Sequence, residues 1–284
     1  MKRNQLLLLG GALLLVVVLF VFGNTIPPKK NTASNAAATA ESNAPKPIVF
    51  DTLLAKAKLR LNSQLLQQAN LLQQQTADAS TPQQRLKAYQ QLADFWKNSG
   101  RIYEPYAYYF AQAAKLENSE KSLTFAAHQF LDNLMVEGDP AMQQWLATNA
   151  KVLFEQAISV NPNNDSSKIG LGACYILGGI SNNPMQGILP VKAIAEKNPK
   201  NVYAQFILGL GGKKSAQYDK AIERFGAIVT IAPDNLEAKL HLAECYDLKG
   251  DKSNAVKWYT EVKNTIKNVD AQKELEQRIR LLKQ

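Results

Sequence analysis

The chain has 284 residues, 46% of them hydrophobic, which is ordinary for a globular protein and enough to bury a substantial core. Its formal charge of +9 raises nucleic acid as a partner, but the excess is dispersed: +4 over residues 1–47, nine charges of each sign over 48–150, and 19 basic against 14 acidic over 151–284. No block of five like charges appears, so the pattern describes solvated surfaces and argues against a phosphate-binding stripe.

Leu6 to Phe22 is a run of 17 residues without a polar group, behind Lys2 and Arg3. At a helical rise of 1.5 Å per residue it reaches about 26 Å, close to a hydrocarbon core of about 30 Å. Phe22 to Pro27 offers no Ala-x-Ala cleavage site, and the first cysteine is Cys174, too far downstream for a lipid-modified terminus. Residues 1–23 are therefore expected to be an uncleaved transmembrane anchor. The flanking charges favour the N-terminus inside, which for a bacterial source means a single-pass inner-membrane protein with its remaining chain in the periplasm. Residues 24–47, rich in Ala, Asn, Thr, Ser and Pro, have too little apolar surface to fold and read as a flexible tether.

From residue 48 onward the pattern is helical throughout. Leu54, Ala57, Leu61, Leu65, Ala69 and Leu72 form a stripe over 50–75, read as a helix capping the domain; Gln64, Gln68 and Gln75 interrupt any heptad seam that would make it a coiled coil. A degenerate pair of helices follows, 83–98 with 103–117, marked by Ala107, Ala111 and Ala114. Next comes a longer pair, with 122–136 as the first helix and Ala150, Phe154, Ala157 and Pro162 on the second. Lys168 to Pro199 is looser, with Cys174, Tyr175 and Gly187 at packing positions and an insert around 181–184.

The clearest unit runs from Val202 to Asn235, with Gln205, Leu208, Gly209 and Gly212 in its first half and Tyr218, Ala221, Phe225, Ile228 and Pro233 in its second. Leu242, Ala243, Tyr246, Ala255 and Tyr259 repeat the pattern, with Lys267 where a proline would fall. Leu275, Ile279 and Leu282 then line one side of 270–283, a final helix with a polar outer face. Pro162, Pro199 and Pro233 punctuate the series at gaps of 37 and 34 residues, each followed two residues later by a capping asparagine, Asn164, Asn201 or Asn235.

A unit of about 34 residues with Leu-Gly, then Ala-x3-Phe, then Pro resembles the tetratricopeptide repeat, through Leu208, Gly209, Ala221, Phe225 and Pro233. Gln205 and Gly212 depart from that pattern where it has tryptophan and tyrosine. The resemblance covers residues 83–267 and is clearest over 168–267. It implies an all-α, right-handed solenoid over 48–284 whose first helices line a concave, partner-binding groove. Carried over by position, the groove residues are Tyr203, Phe206, Leu210, Lys213 and Lys214 in the best unit. Glu237, Leu240, His241, Glu244 and Asp247 follow in the next unit, and Ile169 and Ile176 in the preceding one. Glu237 and His241 replace the residues with which some family members clamp a C-terminal carboxylate, so that mode is not expected.

No constellation for chemistry accompanies the repeat. His128 and His241 lie outside any metal-ligand spacing, and Cys174 and Cys245, 71 residues apart, are read as buried thiols. Gly170 to Tyr175 lacks the third glycine of a dinucleotide loop; Gly209 to Ser215 has Ile207 where a phosphate loop needs its first glycine. The sequence thus predicts no catalytic, cofactor-binding or metal-binding residue, no enzyme activity and no small-molecule substrate. It predicts a membrane-anchored scaffold that binds a protein or peptide, with two rivals: a self-assembling or accessory subunit of a larger envelope complex, or an accessory subunit of an enzyme.

Overall fold

A computed structural model describes residues 47–284. The apolar run and most of the tether lie outside the described residues, and among those described no helix is long and apolar enough to cross a membrane. Every regular element described is helical: α1 (Phe50–Lys58), α2 (Ser63–Asp78), α3 (Pro82–Asp94), α4 (Tyr103–Glu117), α5 (Glu120–Val136), α6 (Pro140–Val160), α7 (Asp165–Leu177), α8 (Met185–Lys197), α9 (Val202–Lys214), α10 (Tyr218–Ile231), α11 (Leu236–Lys249), α12 (Lys252–Thr265) and α13 (Val269–Leu282). From α3 onward they pack as successive pairs, each pair leaning on the next, so the array is a tetratricopeptide-like solenoid.

The periodic asparagines start the first helix of three units. Asn164, Asn201 and Asn235 sit in extended backbone just before α7, α9 and α11. Each side-chain oxygen accepts the N–H of the residue three places on, at 3.0, 3.0 and 2.8 Å. That satisfies one donor the first helical turn leaves unpaired. Within each unit the two helices cross at small residues. An added methyl on Gly209 would lie 2.8 Å from the Phe225 ring, and one on Gly187 would lie 2.3 Å from the carbonyl oxygen of Gly172. The first crossing therefore seats an aromatic ring on bare backbone, and the second sets backbone against backbone.

The N-terminal region departs from the single helix the stripe suggests. The chain breaks after Lys58, and Asn62 caps a new helix by accepting the Leu65 N–H at 2.9 Å. The stripe survives the break because both pieces face one core: Leu54, Ala57 and Ala69 are buried beside Leu92, Trp96 and Tyr109, with Leu61, Leu65 and Leu72 against them. Helix α3 runs on into a π-helical turn, Phe95–Gly100, that closes at Arg101 in the left-handed region (φ 53°). At the other end Ile279 and Leu282 cover Ala243, Ala255 and Tyr259, closing the apolar face of the last pair.

Contacts reach beyond adjacent helices around α7. Its packing face is built from Gly170, Gly172, Ala173 and Ser167, all buried, so its neighbours come close. Tyr203 of α9 reaches across to His128 of α5, with ring centroids 5.8 Å apart, and the His128 ring meets Phe154 edge-on at 5.3 Å.

Candidate functional site

The structure brings part of the predicted groove together between α9 and α11. His241 lies over two aromatic rings, 5.5 Å from Phe206 and 5.1 Å from Phe225. Its Nδ1 is 2.8 Å from Glu244 Oε2 and 3.3 Å from Lys213 Nζ, and Lys213 also donates to that carboxylate oxygen. Helical spacing places His241 and Glu244 on one face of α11, and Lys213 arrives from the end of α9. Burial works against the Glu244 carboxylate, but hydrogen bonds from His241 and Lys213, with the Lys213 charge beside it, outweigh that and hold its pKa below the usual glutamate range. The result is a compact, charged cluster on an aromatic floor.

Alongside it runs a cleft of about 390 Å³ where the C-terminal ends of alternate helices meet. Leu134 and Met135 of α5, Leu177 of α7, Leu210 and Lys214 of α9, and His241 and Leu248 of α11 line it. Met135 is 36% exposed and Leu248 54%, so the cleft presents apolar surface to solvent. Lys214 donates to the carbonyl oxygen of Leu177, an acceptor the end of α7 leaves free, and burial lowers its ammonium pKa.

A tetratricopeptide repeat profile aligns with part of this array. Residues 214–279 match the tetratricopeptide repeat family. No curated protein matches the sequence. Solved structures resembling the chain include a MamA protein, at 17% identity over 63% of this chain and 90% of that one, with a TM-score of 0.43. A MamA fragment from Desulfovibrio magneticus RS-1 matches at 20% identity over 63% and 93%, TM-score 0.42. YrrB, described as a tetratricopeptide protein with an unusual peptide-binding site, matches at 16% identity over 67% and 91%, TM-score 0.42.

Several of the predicted groove residues are left outside the site by the packing of neighbouring helices. Ile169 and Ile176 lie five and twelve residues after the cap Asn164, level with Phe206 and Lys213 of the next unit, but α7 packs between α5 and α9 and turns both into the core. Both are buried, at 1% and 7% exposure, inside the core that joins α5, α7 and α9, and are corrected from groove lining to packing. Counted from the caps, Leu177, Lys214 and Leu248 are equivalent, each 13 residues after Asn164, Asn201 or Asn235. All three line the cleft. Leu177 and Leu248 are thus site residues that correct counting from the asparagines would have found.

Asp247 is also corrected. Its carboxylate receives Arg278 Nε and Nη2, both at 2.6 Å, and the Tyr259 hydroxyl at 3.2 Å, so it fastens the terminal helix to α11. Leu240 packs toward the same terminal cluster, and Glu237 is exposed at the start of α11. Tyr203 is turned inward: its hydroxyl is sealed from solvent without a hydrogen-bond partner, and burial raises its pKa. Phe206 is half-buried and packs edge-on against Phe225 at 5.8 Å, serving as floor beneath His241. Among the described residues no group of three or more His, Cys, Asp or Glu side chains is arranged to hold a metal ion.

Proposed function

We propose that the protein is a membrane-anchored, non-catalytic scaffold that holds a partner protein or peptide in the cleft between the ends of α5, α7, α9 and α11. The observation that carries this reading is the composition of the cleft. Exposed apolar side chains, Met135 and Leu248, stand next to a fixed cation–carboxylate cluster, Lys213, His241 and Glu244. Apolar surface supplies affinity and the charges supply orientation, the combination an extended or helical segment needs. The apolar run Leu6–Phe22 supports the anchor, and the tether would let the array reach a partner near the bilayer. In a bacterial cell the flanking charges support a periplasmic array.

The test is crosslinking of the full chain in membranes, with the captured segment identified, repeated on a variant carrying Met135→Asp and Leu248→Asp. Both positions are solvent-facing, so helicity should be retained while the crosslinked partner is lost. An unchanged set of partners would refute the assignment of this cleft.

A further inference from the structure

A second surface lies about 200° around α9 from its cleft-facing side, at a helical step of 100° per residue. Here α8 is splayed from the unit that follows it, and the two make much less contact than α10 makes with α11. The cause is glycine. Gly211 faces α7 so closely that an added methyl would lie 2.8 Å from Ile176, and Gly212 comes within 3.2 Å of the α10 backbone at Ala221 in the same sense. Helix α9 is drawn onto α7 and α10, and neither glycine has a side chain to fill the space left beside α8.

The result is a trough of about 390 Å³. Its apolar wall is Met185, Ile188 and Leu189 of α8, spaced to lie on one helical face, with Leu208 opposite. Met185 is 45% exposed and Leu189 57%, which is an unpartnered helix stripe rather than scattered surface apolarity. The rim carries Lys192, Lys220 and Arg224 against a single acid, Glu223. Arg224 is steadied by Gln205 at 3.0 Å, and Lys192 has only a solvent-exposed contact with Glu196 at 3.5 Å. Lys220 donates to the exposed, neutral Gln217 at 2.6 Å, so neither lysine is held by a buried carboxylate and both can meet incoming carboxylates.

We propose that this trough docks an acidic amphipathic helix of a partner protein, presenting about two turns of apolar side chains to α8 and carboxylates to the lysine rim. Two turns match the eight residues from Met185 to Lys192, whose seven steps span about 10 Å of helix axis. Charge complementarity selects the occupant. The chain's own residues 1–47 carry net +4 and would be repelled by a rim of the same sign.

The test uses the full chain in nanodiscs of zwitterionic lipid, with Leu189→Cys carrying an environment-sensitive dye. Cys174 and Cys245 are buried, so labelling is selective. The probe is a synthetic amphipathic helix with leucines at i, i+3, i+4 and i+7 and glutamates on both flanks; its counterpart has lysines in place of the glutamates. The expected result is saturable binding of the acidic helix, weakened about tenfold by Lys192→Glu with Lys220→Glu and by the lysine counterpart, and weakened by added salt. Both substituted lysines are exposed, and circular dichroism would verify that the array stays folded. Equal binding of the two peptides, or none of either, would overturn the proposal. So would a response to anionic vesicles alone, which assigns the trough to a lipid surface, or a concentration-dependent response without peptide, which assigns it to a second copy.

Discussion

Replacing Gly187 by alanine tests whether the α7–α8 crossing depends on backbone contact. The new methyl would lie 2.3 Å from the Gly172 carbonyl oxygen and 2.9 Å from Tyr175 Cβ, whereas ordinary contact begins at 3.4 Å. The helices must therefore part by about 1 Å, because a carbonyl oxygen fixed in a helical ladder cannot rotate aside as a side chain can. Overpacking of this kind costs about 1–3 kcal/mol, and a backbone clash belongs at the upper end. The better helix propensity of alanine returns about 1 kcal/mol, leaving a net loss of about 1–2 kcal/mol. Gly226 of α10 is the control: a methyl there meets nothing within 4 Å, so Gly226→Ala should gain about 0.5–1 kcal/mol. Urea denaturation followed by circular dichroism would place the two midpoints on opposite sides of the parent protein. If Gly187→Ala proved as stable as the parent, the crossing would have slack and the packing argument would fail.

Acid should weaken the α9–α11 junction through Glu244. Its pKa is lower folded than unfolded, so its contribution is fully present above the ordinary glutamate value and is lost as pH falls through the depressed folded value. Glu244→Gln should flatten that part of the dependence of the urea midpoint on pH, and an unaltered profile would remove the cluster from the explanation. The two thiols should be inert to a disulfide reagent in the native protein, since burial raises Cys174 to about 12 and Cys245 to about 11. Both should react together with unfolding, and rapid native labelling of either would contradict the packing of its helix.

Helix pairing was the most legible part of the fold. Proline followed by a capping asparagine is a local signal, and Leu208, Gly209, Ala221 and Phe225 identify a crossing because a ring and a hydrogen atom must meet there. The break at 59–62 was hidden because Leu61 and Leu65 continue the stripe begun by Leu54, even though Asn62 is a competent cap. Groove residues were harder to read, since periodicity says which side chains leave the pair interior but not what a neighbouring helix does with them. Asp247 illustrates this: its position points outward from α11, and only the arrival of Arg278 from α13 turns it into a fastening. The cleft between α5 and α11 depends on residues more than a hundred positions apart, which no local pattern connects.

The contact of Tyr203 with His128 changes how the molecule should come apart under load. A strictly linear stack would unzip one unit at a time, each step felt only by the next. Here α9 touches α5 across the intervening α7, so pulling from the C-terminus should peel α13 to α10 in small steps and then meet a barrier at which α5, α7 and α9 yield as one block. The middle of the chain would thereby act as a mechanical stop, keeping the N-terminal half folded after the C-terminal half has been drawn out.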